Sequence, residues 1–534
     1  MTSGQARKER KMRQNSARMR PKMSSSEGRL APPIRETIPT GKSVVRVSKA
    51  ALHLVLLSAF VIPVSCVQAS RALEGTKPIR LHPDNPHYFE WRGKPTILIT
   101  SGEHYGAVLN RDFDYRKYLR TLQSHRLNLT RIFTGAYCEP AEAFNIKDNT
   151  LAPAKGQFIC PWARSKTPGY ADGGNKFNLR GWDTAYFKRL RNFAAEAGKS
   201  GVVVEVVMFC PFYNDAMWDL SPLNASNNIN GVGKVARKDV FTLKDKRLTA
   251  VQDAMVRKIV EELNSFDDVY FEICNEPYER GGQTKAWQDH VAQVIVDVER
   301  RLPCKHLIAQ NLPWRASNLP KQFTGRMVPN RHVSVLNFHG ASPPKVVQLY
   351  YDLNKVIAYD ETGRGSNEKH RIEGWDFIIA GGAVYDNLDL SFAVGHEDGT
   401  SKRNASAGGG PVLLRQLSIL MDFINRFDFV KMKPDDSIVQ VGTDKRISAR
   451  ALVEEGRAYA IYVNGGNQID LTIKLPHGAY LAQWVDTKTG NVNGEVTFEH
   501  SGGNRMLRSP GYVRDIALRI VKSQLDKQRP IGVH

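Results

Sequence analysis

The chain is poor in cysteine, and none of it is spaced for metal. Six cysteines stand among 534 residues. Cys66 lies in an apolar stretch near the N-terminus; Cys138, Cys160, Cys210, Cys274 and Cys304 are odd in number and nowhere form a C-x-x-C pair. This excludes a zinc ribbon and argues against a disulfide framework. Cys138 with Cys160 is the one pair to suspect of bridging, and the others read as small buried apolar residues. A dinucleotide fingerprint is also missing, because TSGEHYGAV after the first aliphatic run supplies no G-x-G-x-x-G. The chain has no internal repeat, and no low-complexity tract beyond its N-terminal region. The apolar run ALHLVLLSAFVIPVSCVQAS, residues 51–70, is interrupted by His53 and Pro63 and is too short for a comfortable membrane span.

What is abundant is positive charge, and it is unevenly spread. The net charge is +21, of which residues 1–69, with 13 Lys/Arg against three Asp/Glu, hold +10. A basic segment ahead of a short apolar run reads as an export signal cleaved after Ala69, with a periplasmic or extracellular destination. A retained anchor and lipoprotein cleavage at Cys66 are the alternatives, and initiation at Met23 would give a leader of more ordinary length. Because the basic excess precedes that signal, the charge argues neither for nucleic-acid binding nor for stable membrane insertion of the mature chain. Oligomeric state is not legible.

After Ser70 aliphatic runs alternate with helical spacing. PTILITSG, LNLTRIFTG, GVVVEVVMFC, DVYFEIC, KHLIAQN, VSVLNFH, VIAYDE and GGAVYDNL read as eight strands. Helices are expected at 112–126, 182–198, 248–266, 285–302, near 343–354, near 368–380 and at 411–427, leaving only the fifth strand without a convincing one. Eight strands with helical crossovers over roughly 340 residues favour a closed (β/α)8 barrel. Beyond Asp435, ISARALV, AYAIYVN, IDLTIKL, YLAQWVD, EVTFEH and IALRIV, separated by GG, PHG and TKTGN, read as a small antiparallel β-sandwich. The expected organisation is a leader (1–69), a barrel (70–430) and a sandwich (431–534).

In such a barrel reacting groups come from the carboxyl ends of strands. Strand one ends in Glu103, His104 and Tyr105. Strand two carries Arg131, then Tyr137 and Glu139, and strand three runs into Tyr213. Strand four ends in Asn275-Glu276-Pro277, strand five in Gln310, Asn311 and Trp314, strand six in His339, strand seven in Asp360-Glu361 and strand eight in Tyr385. Two carboxyl groups aimed at one point are what glycoside hydrolysis needs, one to protonate the leaving oxygen and the other to attack or to activate water. Alternation along a strand lets only one of Asp360 and Glu361 face the axis. Glu205, inside strand three, reads as a buried partner for a cation. The insertion 137–179 is a plausible cleft wall, and Trp162, Trp218 and Trp314 are either sugar platforms or loop packing.

The strand-Asn-Glu-Pro pattern at strand four, a Glu closing strand seven and Arg in LNLTRIF resemble the retaining clan A glycoside hydrolases, family 5-like barrels in particular. The resemblance covers about residues 80–430. It implies acid/base Glu276, nucleophile Glu361 in preference to Asp360, and supporting Arg131 and Asn275. It also places His339 at the family's aromatic-or-His position near strand six. The nucleophile's charge is expected to raise the pKa of Glu276, and a cation such as Arg131 to keep Glu361 ionised. His104, Trp314 and Tyr385 are further candidates for touching the sugar, although strand eight has Tyr385-Asp386-Asn387 where many members carry a stacking Trp, and strand three lacks the family's His-Asn ending. The reading implied is a retaining β-glycosidase acting on a poly- or oligosaccharide without metal or organic cofactor. A transglycosylase using the same glutamates and a non-catalytic carbohydrate-binding barrel are the alternatives.

Overall fold

The computed structural model describes residues 77–277, 284–313, 327–341 and 343–523. The leader and its apolar run, and the end of strand five at Trp314, lie outside the described residues. Eight parallel strands follow in chain order: β1 (Leu98–Ile99), β2 (Leu129–Phe133), β3 (Val203–Val207), β4 (Val269–Glu272), β5 (Ile308–Asn311), β6 (Val335–His339), β7 (Val356–Glu361) and β8 (Val384–Tyr385). Their spatial order is β1-β8-β7-β6-β5-β4-β3-β2, a TIM barrel. The ladder is continuous from β1 round to β2, and side-chain hydrogen bonds close the last gap. Asn128, just before β2, accepts from the Ile99 N–H and donates to Ile97 O, both at 2.9 Å, while its own N–H reaches Ile99 O at 3.2 Å. One amide side chain thus stands in for ladder bonds between two strands, one of them only two residues long.

The crossovers are α1 (Tyr115–Ser124), α2 (Thr184–Lys199), α3 (Asp215–Leu220), α4 (Lys246–Leu263), α5 (Lys285–Glu299), α6 (Pro343–Tyr350), α7 (Asn367–Ile379) and α8 (Pro411–Ile424). Their starts are written in the sequence. Asp114, Asp183 and Asp245 each accept two backbone N–H groups at the heads of α1, α2 and α4, and Thr284 and Ser366 cap α5 and α7. Every residue of β2, β3 and β4 is buried, as parallel strands covered on both faces should be. Ahead of β1, three short antiparallel strands (Arg80–Leu81, Phe89–Trp91, Lys94–Thr96) are tied to the chain entering β4. The Ile79 N–H donates to Asp267 O at 2.9 Å, and Arg92 grips the Asp267 carboxylate at 2.7 and 2.8 Å. No helix among the described residues is long and apolar enough to cross a membrane.

The C-terminal region is an antiparallel sheet of β9 (Lys433–Pro434), β10 (Val439–Gln440), β11 (Ser448–Glu454), β12 (Ala458–Asn464), β13 (Asp470–Val485), β14 (Val492–Arg508) and β15 (Asp515–Lys522). Where the sequence suggests short strands broken at PHG, β13 instead runs unbroken for 16 residues against a 17-residue β14. The two bend together. Pro476, which has no N–H to give the ladder, lies opposite Gly502, and both Gly502 and Gly503 take φ near +97°, open to glycine. The first half of β13 pairs with β10 and its second half with β15, so the sheet folds over a core of Ile461, Leu471, Ile473, Trp484, Leu518 and Ile520. This is the β-sandwich.

Barrel and sandwich form one compact unit. Arg371 of α7 donates to both carboxylate oxygens of Asp515 at 2.6 and 3.1 Å, and Thr487 and Tyr462 hydroxyls donate to the same group at 2.8 and 3.2 Å. Both ions are essentially buried, so removing one strands the other. Asp515→Ala should therefore lower unfolding free energy by about 3–5 kcal/mol, read from denaturant midpoints. A loss under about 1 kcal/mol would mean that water replaces the carboxylate. Cys138 and Cys160 are both buried and free, which corrects the suspected bridge.

Candidate active site

Beneath the carboxyl rim of the barrel sits an ionic cluster built on Arg131. Its Nε stands 3.2 Å from Glu205 and 3.3 Å from Asp360; Nη2 donates to Glu272 and, at 3.2 Å, to Asn275 Oδ1; Nη1 donates to the Tyr105 hydroxyl at 2.9 Å and lies 3.7 Å from Glu361 Oε2. One guanidinium cannot neutralise three buried carboxylates. Burial raises Glu205 well above the usual range and raises Glu272, Arg131 only partly opposing it. Asp360 is buried too, but Arg131 and His339 together bring it below its ordinary value. Arg131 is 1% exposed and supports the rim from below without lining the cavity. Glu205 is the buried cation partner expected of it.

On this layer rest the two glutamates. One carboxylate oxygen of Glu276, one of Glu361 and a ring nitrogen of His339 all lie within 4.8 Å of one another. Glu276 Oε2 accepts from the Tyr213 hydroxyl at 2.7 Å, and its Oε1 is 3.0 Å from His339 Nδ1. Glu361 Oε2 accepts from the Tyr105 hydroxyl at 2.9 Å and is 3.6 Å from the same Nδ1. The other ring nitrogen of His339 faces Asp360 at 3.6 Å. Asn275 donates to the Tyr213 oxygen at 3.2 Å. Two of these residues hold left-handed backbone, Glu276 at φ +34° and Tyr105 at +63°. Such conformations cost about 1–3 kcal/mol each and persist where the surroundings impose them.

Asp360 and Glu361 both reach this cluster, contrary to the rule of alternation. The register between β6 and β7 shifts between Asn337 and His339, so that His339 pairs with Glu361, the last residue of β7. Asp360 faces the barrel interior in regular strand geometry, and the irregularity at the strand's end brings Glu361 to the rim above it.

The protonation pattern also differs from expectation. Burial would raise Glu276, but the hydrogen bond and charge of His339, joined by the Tyr213 hydroxyl, take it below its ordinary value. Burial raises Glu361, and the charge of Glu276 adds to this against the opposing pull of His339 and Arg131. His339, although buried, is held as imidazolium by Glu361 and Asp360 together. Burial and charge thus shift the two glutamates in opposite directions, Glu361 up and Glu276 down.

A cavity of about 260 Å³ opens over these groups. Its walls include His104 and Tyr105 after β1, Tyr213 after β3, Phe144, Ile146 and Leu151 from the 137–179 insertion, and Gly363 and Arg364 after β7. His104 faces it beside Glu139, whose carboxylate accepts from Tyr137 at 2.8 Å and Asn149 at 2.5 Å and lies 3.6 Å from the imidazole. Burial works against a charge on His104, yet Glu139 raises its pKa; neither ring nitrogen has a hydrogen bond among the described residues. Glu276, Glu361, Asn275, His339 and His104 thus come together. Tyr385 does not: it is fully buried, and its hydroxyl donates to His370 O at 2.6 Å, behind β8. Trp314 lies outside the described residues, and Trp162 and Trp218 are packed in the interior. Tyr105, Tyr213 and Glu139 stood among the strand-end residues of the sequence with nothing local to mark them as partners of the glutamates or of His104.

Two groups here have ligand chemistry for a cation: Glu276, His339 and Glu361, and Glu205, Glu272 and Asp360. In each a protein cation already sits among the acceptors, imidazolium His339 in the first and Arg131 in the second.

Fold and site together define a TIM barrel with an acidic pair at its carboxyl rim and a β-sandwich behind it. No family model matches the chain, and no curated protein sequence does. Among solved structures it is similar to a glycoside hydrolase family 5 protein from Bacteroides vulgatus ATCC 8482, with a TM-score of 0.56 and 12% identity over 85% of this chain and 96% of that one. It is also similar to another structure described as a glycoside hydrolase, with a TM-score of 0.54 and 14% identity over 84% and 97% of the two chains. At these identities the likeness is one of fold.

Proposed function

We propose that this protein is a retaining glycosidase that cleaves β-glycosidic bonds of a poly- or oligosaccharide by double displacement. The observation that carries this reading is the approach of one carboxylate oxygen of Glu276 to within 4.8 Å of one of Glu361, under a shared cavity. Retaining enzymes hold their carboxyl groups about 5–5.5 Å apart, whereas inverting ones need about 6.5–9.5 Å to admit water between them. Glu361 attacks the sugar carbon while Glu276 protonates the departing oxygen; Glu276 then takes a proton from the water that releases the sugar. The cavity, about 260 Å³, is smaller than the roughly 300–1,000 Å³ of pockets for drug-sized ligands, and a single sugar ring suits it. His104 and Glu139 offer a donor and an acceptor to its hydroxyls.

The reactive form needs its proton on Glu276 and Glu361 ionised, and His339 Nδ1, 3.0 Å from Glu276 and 3.6 Å from Glu361, lies where a proton can pass between them. The directions of these shifts, Glu361 up and Glu276 down, favour a second reading, with Glu361 as acid and Glu276 as nucleophile. Incubation with an activated 2-deoxy-2-fluoro-β-glycoside followed by peptide mass mapping separates the two. A label on Glu361 supports the first assignment and one on Glu276 the second; turnover with inversion and no label would remove the retaining mechanism altogether.

Export is proposed from residues 51–70 alone. Mass spectrometry of protein recovered from outside the cytoplasm should find Ser70 as its first residue, and an intact Met1 or Met23 terminus there would contradict cleavage.

A further inference from the structure

A second concave site lies where α8 and the C-terminal sheet meet the end of α1, and it shares no lining residue with the cavity above. It encloses about 370 Å³ and is lined by Arg126, Arg415, Arg426 and Arg519, against one lining carboxylate, Asp422. That carboxylate is taken: Arg126 Nη2 is 2.6 Å from it and 3.2 Å from Ser418 Oγ. Arg519 donates to the Gln483 carbonyl, and the Gln483 amide turns in its own right to Glu495. The side chains of Arg415 and Arg426 have no ion pair or hydrogen bond among the described residues. Burial lowers the pKa of Arg519, and the charge of Arg426 lowers it further, with Glu495 opposing.

Solvated arginines on a convex surface would need no explanation. Here guanidinium groups from three separate elements converge on one groove; those of Arg126, Arg415 and Arg426 are exposed in it, so their donor forks are open to an anion. The planar donor fork of arginine matches carboxylate, sulfate and phosphate oxygens in pairs. Thr489 and Gln483 add neutral polar groups, and Ile419, Val485 and Val492 form an apolar wall against which the C–H face of a sugar ring can lie.

We propose that this groove is a second binding site, which takes a sulfate- or carboxylate-bearing segment of an acidic saccharide chain on the forks of Arg415 and Arg426. The choice of a saccharide rests on the proposed glycosidase activity, whereas the anion contacts do not. Free inorganic oxyanions share the chemistry, and the test distinguishes them.

The full chain and the Arg415→Gln/Arg426→Gln variant are titrated calorimetrically at physiological salt with dextran sulfate, neutral dextran and inorganic sulfate. A second variant, Lys445→Gln/Lys474→Gln, removes the same charge from exposed positions elsewhere. The expected result is tenfold or greater loss of dextran sulfate affinity in the arginine variant alone, no binding of neutral dextran, and unchanged hydrolysis of small soluble glycosides. Without sulfate, the arginine variant should keep the wild-type melting temperature, because both side chains are exposed and make no hydrogen bond or ion pair among the described residues. Equal losses in both variants, or none in either, would overturn the proposal. Inorganic sulfate binding as tightly as the polymer would overturn the saccharide part.

Discussion

Glu361→Ala should lower kcat/KM for an aryl β-glycoside by on the order of 10⁴–10⁶-fold, equivalent to about 5–8 kcal/mol of transition-state stabilisation. The loss is large because no neighbour can replace the nucleophile. Asp360 is turned into the barrel against Arg131 and His339, and the Tyr105 hydroxyl that serves Glu361 is held neutral by burial, with the charge of Glu361 adding to the effect. The fold should survive, since Glu361 is raised by burial and by Glu276 and its removal relieves strain between like charges. Azide is the second measurement. Entering the space vacated in Glu361→Ala, it should restore turnover and yield the α-azide from a β-glycoside. A variant retaining activity within a few-fold of wild type would end the nucleophile assignment, and formation of the β-azide would mark residue 361 as the acid/base.

Glu276→Gln should divide substrates by their leaving groups. Where the departing oxygen needs a proton, a loss of about 10²–10⁴-fold is expected; where it is strongly activated, the first step should be nearly unchanged. The pH profile carries the same information. In the wild type the alkaline limb records loss of the proton shared by Glu276, His339 and Glu361, a property of the cluster as a whole. His339 is raised well above its ordinary value by Glu361 and Asp360, so its charge should persist above pH 6.5, the unperturbed histidine value, and the limb is set by the proton that the two glutamates share. Glutamine at 276 cannot donate that proton, so for activated substrates the alkaline limb should flatten. Unequal losses with an unchanged limb would show that another group is the proton donor.

The fold was legible because burial leaves a strong mark on composition. GVVVEVVMFC and VYFEIC are apolar on both faces since sheet and helices cover them from both sides, and aspartates ahead of α1, α2 and α4 announce where the helices begin. Less could be read where an element's identity depends on its partner. β1 and β8 are two residues each, their pairing completed by neighbours and by Asn128, and β13 passes through a Pro-His-Gly that resembles a turn because β14 brings glycines opposite it. Within the site, Glu276 and Glu361 were readable as carboxyl groups closing apolar runs. Tyr105 and Tyr213 were not, because a tyrosine at a strand end carries no local sign of which carboxylate it will meet.

The sequence by itself determined the alternation of eight strands with helices, the all-β C-terminal region, and the presence of acids, Asn275 and His339 at strand ends. These follow from periodicity and burial, which act over a few residues. Tertiary structure alone decided that Asp360 and Glu361 share one cluster, that Arg131 is spent beneath the rim, and that His339 draws Glu276 down while burial pushes Glu361 up. Those outcomes depend on a slip in register between β6 and β7 and on charges separated by tens to hundreds of residues along the chain. Electrostatic energy in a buried site is set by distances of a few ångströms, and only the closed barrel fixes them.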